Sequence, residues 1–292
     1  MTFRGDIEKS ENLARSGGSG GRIALGGGVG TVVLVGLYLL MGGNPSDLGQ
    51  LIGGQTDGGQ TQQSAGTLDH CKTGADANEN TDCRVEFTGL SVNQMWEEQL
   101  AQQSGVEYTK PGLTIFSNSI ATGCGQASSA TGPFYCPSDQ TAYFDVSFFD
   151  ELGKFGGENT PFAQEYIVAH EFGHHVQNLE GTLGLSDYNN PGQDSNAVKI
   201  ELQADCYGGV WAHYADKGEK AFLEPITDDQ VKDAINAARA VGDDNIQKRS
   251  GTEINPESFT HGSSEQRQEA FLAGYKSGKM SSCDTLGRGG YK

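Results

Sequence analysis

The stretch His170-Glu171-Phe172-Gly173-His174 decides how this chain is read. Two imidazoles four residues apart on a helix leave the same face, about 40° from each other around the axis. That spacing lets both rings reach one tetrahedral Zn²⁺ at about 2.0–2.1 Å. Glu171, one step round the helix, flanks the metal and suits a general base toward an activated water. The pattern points to zinc-dependent hydrolysis, of peptide bonds first of all. Thr160-Pro161 before it reads as an N-cap and a first-turn proline. Phe162, Ala163, Tyr166, Ile167, Val168, Phe172, Val176 and Leu179 recur at helical spacing, and Gly181 offers a stop.

Two histidines and a water leave one zinc position to fill, by a nearby histidine or by a glutamate on a later helix. No Gly-x-x-His follows His174. Downstream, Ser195 precedes an apolar helical pattern, Asn196 to Trp211, in which Glu201 and Asp205 lie four apart. Both carboxylates therefore share one face. Glu201 is the expected third ligand, and Asp205 the expected acceptor for the second ring N–H of a ligating histidine. An ordinary solvated acidic pair is the plain alternative. The flanking Leu202, Ala204, Cys206, Tyr207, Val210 and Trp211 leave little of that helix wet.

With these residues in view, Glu165 to Gln177 together with Glu201 to Tyr207 resembles the bacterial neutral zinc metallopeptidase family. The likeness runs from about Phe87 to Asp284 and includes Gly132-Pro133-Phe134-Tyr135-Cys136-Pro137 and Tyr143 to Phe149. The arrangement is also similar to the Glu-zincin organisation, a His-Glu-x-x-His helix and a Glu-x-x-x-Asp helix holding one metal. The resemblance implies His170, His174 and Glu201 as ligands of a single Zn²⁺, Glu171 as the base and Asp205 beyond the ligands. It implies an endopeptidase-like activity on a protein or peptide and names no substrate. Thr260-His261-Gly262-Ser263-Ser264-Glu265-Gln266-Arg267 is similar to the Thr-His-Pro…Arg segment of membrane-bound zinc endopeptidases, with glycine in place of proline. His261 and Arg267 thereby become candidates to assist at a developing oxyanion. The bland alternatives are a loop-bracing histidine and an arginine paired to a neighbouring acid. His175 points about 100° away from His174 and reads as structural, while His70 and His213 carry no motif.

The chain is 292 residues long and acidic, with 20 Lys+Arg against 38 Asp+Glu. No basic stripe appears, which argues against nucleic acid as a partner. Residues 23–41 carry no charge and, at helical rise, cover about 28 Å, close to a bilayer core. Arg15 and Arg22 before this stretch and Asp47 after it predict a cytoplasmic N-terminus. The expected layout is a disordered cytoplasmic tail (1–22), one transmembrane helix (23–41) anchoring the chain in the lipid bilayer, a flexible Gly/Gln/Ser linker (42–68) and a metallopeptidase domain (69–292) on the periplasmic or extracellular side. A cleaved signal peptide is the alternative to the anchor.

Six cysteines, at 71, 83, 124, 136, 206 and 283, fall beyond that stretch and suggest disulfides. Pairing neighbours gives Cys71–Cys83 and Cys124–Cys136 and leaves Cys206–Cys283, one of fifteen connectivities. Ser91-Val92-Asn93-Gln94 reads as a capping box opening a helix that stops near Gly105. Leu113 to Phe116 and Tyr143 to Val146 read as strands, the second either an edge that could pair with an extended peptide or, equally, plain sheet core. Thr227 and Ser263 start further helices, with Gly242 and Gly278 at their ends. The fold class is therefore α+β, a small sheet followed by a mainly helical half. Two rival functions share the site: an exported zinc-binding scaffold without catalysis, and a zinc amidase acting on cell-wall material.

Overall fold

The computed structural model describes residues 2–17 and 66–292. The α+β expectation holds. Among the described residues one mixed sheet has the strand order β2-β1-β3-β7-β6, formed by Ala14–Ser16 (β1), Gly66–Thr67 (β2), Gly112–Phe116 (β3), Phe134–Cys136 (β6) and Thr141–Asp145 (β7). A separate hairpin pairs Ser119–Thr122 (β4) with Gly125–Ser128 (β5). The helices are Gly74–Glu79 (α1), Thr81–Gln103 (α2), Phe148–Glu151 (α3), Pro161–Leu179 (α4), Asn196–Tyr214 (α5), Asp228–Ala240 (α6), Asp243–Arg249 (α7) and Ser264–Ser277 (α8). Of the two readings left open for β7, edge or sheet core, the structure has the interior one. β7 runs parallel to β3 and antiparallel to β6, so β6 is the edge, and all three of its residues are buried.

The N-terminal segment departs most from expectation. Residues 2–17 are not a disordered tail but a part of the domain. β1 pairs parallel with β3 and antiparallel with β2, and Phe3 bridges Leu223. Phe3 packs its ring edge-on against Phe87 at 5.9 Å. The fully buried Glu86 accepts the backbone N–H groups of Leu13 and Ala14 at 3.1 and 3.2 Å, and Lys9 Nζ at 3.0 Å. Buried backbone donors need partners, and here a buried acid supplies them.

This overturns the single-pass anchor and the location drawn from it. The expected span at 23–41, and the linker as far as residue 65, lie outside the described residues. Residues 16 and 66, on either side of that stretch, are partners in one sheet. Segments that hydrogen-bond in one sheet share one side of any bilayer, so a single crossing between a cytoplasmic tail and an exported domain does not fit. Among the described residues, no helix is long and apolar enough to cross a membrane.

Local chemistry sets the two helices that matter most. Thr160 caps α4 by accepting the Ala163 N–H, with Pro161 in the first turn, and Ser195 caps α5 by accepting the Val198 N–H. α4 and α5 cross closely because Gly173 has no side chain: a Cβ there would stand 3.0 Å from the Ala204 carbonyl oxygen. α5 and α8 approach still more tightly through Gly209 and Gly274, where a Cβ on either would overlap a backbone carbonyl of the facing helix, that of Phe271 or Cys206. Helix α2 begins ten residues ahead of the box at Ser91, whose hydroxyl lies mid-helix and accepts the Trp211 indole N–H at 3.0 Å. Thr227 and Ser263 do cap α6 and α8, each in a reciprocal capping box with a glutamine, and Gly278 ends α8 in the left-handed conformation. Gly242 lies just past the Val241 C-cap of α6, as expected, and also caps the start of α7.

Disulfides join Cys71 to Cys83, Cys124 to Cys136 and Cys206 to Cys283, the pairs suggested by proximity in the chain. The third ties the C-terminal turn to α5 beside Asp205.

Candidate metal centre

His170 and His174 on α4 and Glu201 on α5 face one another across the helix crossing. Their ligand atoms all lie within 4.8 Å of one another. Glu201 Oε2 stands 3.3 Å from His170 Nε2 and 3.7 Å from His174 Nε2. Ligand atoms at the corners of a tetrahedron with arms of about 2.0–2.1 Å are about 3.4 Å apart, so the spacing fits one Zn²⁺. The three side chains are nearly closed off from solvent. Burying two imidazoles against a carboxylate without further partners is costly, and a cation at their centre satisfies all three.

The other ring nitrogens decide which atoms are free to ligate. His170 Nδ1 lies 2.7 Å from Asp205 Oδ1, and His174 Nδ1 lies 2.8 Å from Gln177 Oε1. Both partners are acceptors, so both Nδ1 atoms carry the proton and both Nε2 lone pairs turn to the shared point. Gln177 is itself fixed by donating to the Ile200 carbonyl at 2.7 Å and to Gln203 Oε1 at 3.1 Å. Sequence reading missed Gln177, although its i+3 position from His174 carried the signal.

Asp205 is fully buried and multiply held. Arg267 Nε and Nη2 donate to its two oxygens at 2.7 and 2.8 Å, and the Tyr166 hydroxyl donates to Oδ1. Burial works against its ionisation, but the Arg267 guanidinium and His170 hold its carboxyl down at about 2. Arg267 also donates to the Val241 carbonyl at 3.3 Å. Its donors are therefore turned to Asp205, the Tyr166 hydroxyl and the backbone.

His261 sits in the wall of the same cavity as Glu171. Asp243, missed in the sequence, organises it. Asp243 Oδ2 accepts the backbone N–H groups of Thr260, His261 and Gly262 at 2.7–2.8 Å, while Oδ1 stands 3.5 Å from His261 Nδ1. Burial disfavours the charged imidazole, yet Asp243 and Glu201 outweigh it and raise the His261 pKa. Glu171 is buried too, and that burial lifts its carboxyl above the ordinary range. Tyr188, in the loop before α5, was also missed: its hydroxyl donates to Glu201 Oε1 at 3.3 Å. Neither Asp243 nor Tyr188 belongs to a spacing that sequence reading could single out. His175 is fully buried between the Tyr135 hydroxyl (2.9 Å) and the Thr109 carbonyl (2.6 Å), and burial lowers its pKa to about 4. It braces the sheet against α4 and stands apart from the cluster.

Among the described residues one further group could hold a metal on geometry alone, His70, Cys71, Asp82 and Cys83, but both of its sulfurs are spent in a disulfide.

The chain belongs to the family described as putative neutral zinc metallopeptidase, whose profile spans residues 4–286. That match begins inside the N-terminal segment, well ahead of Phe87. The chain is 48% identical to an uncharacterized protein of Mycobacterium tuberculosis, Rv2575, over 81% of its own length and 84% of the relative's. It is 36% identical to the uncharacterized protein YpfJ of Escherichia coli K12, over 99% of each chain. No solved structure matches the chain significantly.

Proposed function

We propose that the protein is a zinc-dependent peptidase in which His170, His174 and Glu201 hold one ion and Glu171 is the general base. The observation that carries this reading is the meeting of His170, His174 and Glu201 with their ligand atoms within 4.8 Å of one another and Glu201 Oε2 at 3.3 and 3.7 Å from the two Nε2 atoms, with Glu171 in the same cavity. Zinc held there by these three residues would supply Lewis acidity, toward the scissile carbonyl and toward a water whose pKa it would bring to about 7. Glu171 takes that water's proton and returns it to the leaving nitrogen, a role suited to a carboxylate whose pKa burial has raised. His261, its backbone held by Asp243 and its Nδ1 beside the Thr260 hydroxyl at 2.9 Å, donates toward the carbonyl oxygen as negative charge grows on it. Asp205 and Gln177 keep both imidazoles in the ligating tautomer.

A scaffold that uses zinc only for stability has no need of a buried acid beside the ligands. An amidase for sugar-bearing cell-wall material is less favoured by a cavity whose walls away from the ligands are largely apolar. The test is Glu171→Gln. It should retain about one zinc per chain by metal analysis, yet lose cleavage of a peptide library by at least about a hundredfold. A variant that cuts as fast as wild type would sink the mechanism.

A further inference from the structure

The second ring nitrogen of His174 rests on a neutral amide, and an amide can turn either of its ends toward a ring. His170 meets no such choice, because the Asp205 carboxylate is an acceptor at both oxygens. What holds the Gln177 amide lies further out. Gln177 Nε2 donates to the Ile200 carbonyl at 2.7 Å and to Gln203 Oε1 at 3.1 Å. Gln203 Nε2 donates in turn to the Cys283 carbonyl at 3.1 Å and to the Tyr291 hydroxyl at 3.2 Å. We propose that Gln203, Cys283 and Tyr291 are positioning residues of the metal centre: the C-terminal tail fixes the Nδ1–H tautomer of His174 through two amides in series. This rests on the metal-centre reading and extends it as far as residue 291.

Each direction in the series is forced. A backbone carbonyl can only accept, so the Gln203 amide nitrogen must face Cys283 and its Oε1 must face α4. Turned over, Gln203 would set oxygen against the Cys283 carbonyl and nitrogen against nitrogen at Gln177. The Ile200 carbonyl imposes the same orientation on Gln177, whose Oε1 then meets His174 Nδ1 at 2.8 Å. Only a protonated Nδ1 satisfies that oxygen, and Nε2 is left bare to ligate. Tyr207 gives its hydrogen to Glu180 Oε2 at 2.7 Å, so Tyr291 donates to Tyr207 at 3.0 Å and offers a lone pair to Gln203. Gln177 and Gln203 are buried, and both hydrogens of each amide are used. A partner lost from such a buried series is felt along its length.

The tail is itself firmly placed. The Cys206–Cys283 disulfide ties Cys283 to α5 three residues past Gln203, on the same side of the helix. Beyond it, Asp284 accepts the N–H groups of Arg288 and Gly289 at 2.9 and 2.7 Å, and the Lys292 N–H reaches the Gln103 carbonyl at 2.8 Å. Tyr291 is thus held from both sides without help from Gln203.

The experiment uses the full chain, loaded with zinc and carrying isotope-labelled histidine for NMR. In the wild-type protein the Nδ1–H protons of His170 and His174 should both be protected from exchange with water. Gln203→Met should speed exchange at His174 at least about tenfold and weaken zinc binding about tenfold in chelator competition, with His170 unchanged. Tyr291→Phe removes one oxygen at the far end of the series. It should weaken zinc binding about threefold, the worth of one neutral hydrogen bond, and again disturb His174 alone. A role confined to stability gives a lower melting temperature with zinc affinity and His174 exchange as in wild type. That result, or exchange speeded equally at both histidines, overturns the proposal. Should Gln203→Met fail to fold, Tyr291→Phe decides alone. A wild-type chain that binds no zinc overturns the metal-centre reading instead. The series is then judged from the ring-nitrogen shifts of the zinc-free chain with its histidines neutral. His174 as Nδ1–H in wild type and as a mixture of tautomers in Tyr291→Phe sustains the proposal, and identical shifts in the two overturn it.

Discussion

Arg267 grips Asp205 with two parallel bonds, Nε to Oδ2 at 2.7 Å and Nη2 to Oδ1 at 2.8 Å. Asp205 passes that hold to His170 Nδ1, so an arginine on α8 orients an imidazole on α4 through a carboxylate on α5. Arg267→Lys keeps the charge and loses the planar fork. Its zinc affinity should fall about 10–100-fold in chelator competition, and saturating zinc should restore most activity. If Arg267 instead served the substrate, affinity would hold and the rate would stay low at saturating zinc.

Tyr188 touches the Glu201 oxygen that faces away from the histidines. Removing one hydroxyl should free that carboxylate to rotate. Tyr188→Phe is expected to weaken zinc binding by roughly tenfold with little change in melting temperature. An affinity equal to wild type would remove Tyr188 from the support of the ligand set.

Gly274 and Gly209 let α8 and α5 touch backbone to backbone. Gly274→Ala should cost about 1–3 kcal/mol or more in urea unfolding, since the added methyl meets a carbonyl rather than a movable side chain. The same change should loosen Arg267 from Asp205 and weaken zinc binding. Gly184→Ala, at a position open to space, is the control and should stay within about 0.5 kcal/mol of wild type.

Glu165 lies one residue before Tyr166, fully buried, and its carboxyl accepts the Thr2 hydroxyl. Burial raises its pKa to about 8, against the opposing pull of Thr2 and Arg84. The folded state therefore holds this proton more tightly than the unfolded chain, where glutamate titrates near 4.5. The stabilisation is complete below about 4.5 and is lost as pH rises through about 8. Glu165→Gln should gain stability relative to wild type between pH 5 and pH 8. Unfolding curves for the two that run parallel across that window would refute the assignment.

The ligand helices were legible because their signals are local. Thr160-Pro161, Ser195 and the two four-residue spacings each act within a few turns, and the structure brings those side chains together across Gly173. What escaped reading is non-local. Ala14–Ser16 is three residues long and finds its partners in Leu113–Ile115, so no periodicity announces it as a strand. The neighbouring apolar stretch suggested a membrane instead. Ser91 looked like a cap because Gln94 stands three residues on, but its hydroxyl is used by Trp211 from another helix. Asp243 and Tyr188 act from a helix start and a loop, where one polar side chain looks like any other.

The placement of β1 also dictates an order of events. Residues 2–4 pair near 222–224, and β1 fills the gap between β2 and β3. A nascent chain cannot close this clasp until more than two hundred residues have been made, and such late, long-range pairing makes for slow folding. A fragment beginning after residue 17 would leave β3 with a bare flank, open to pairing with a second molecule. Residues 2–4 thus find their places only after residues 222–224 have followed them off the ribosome.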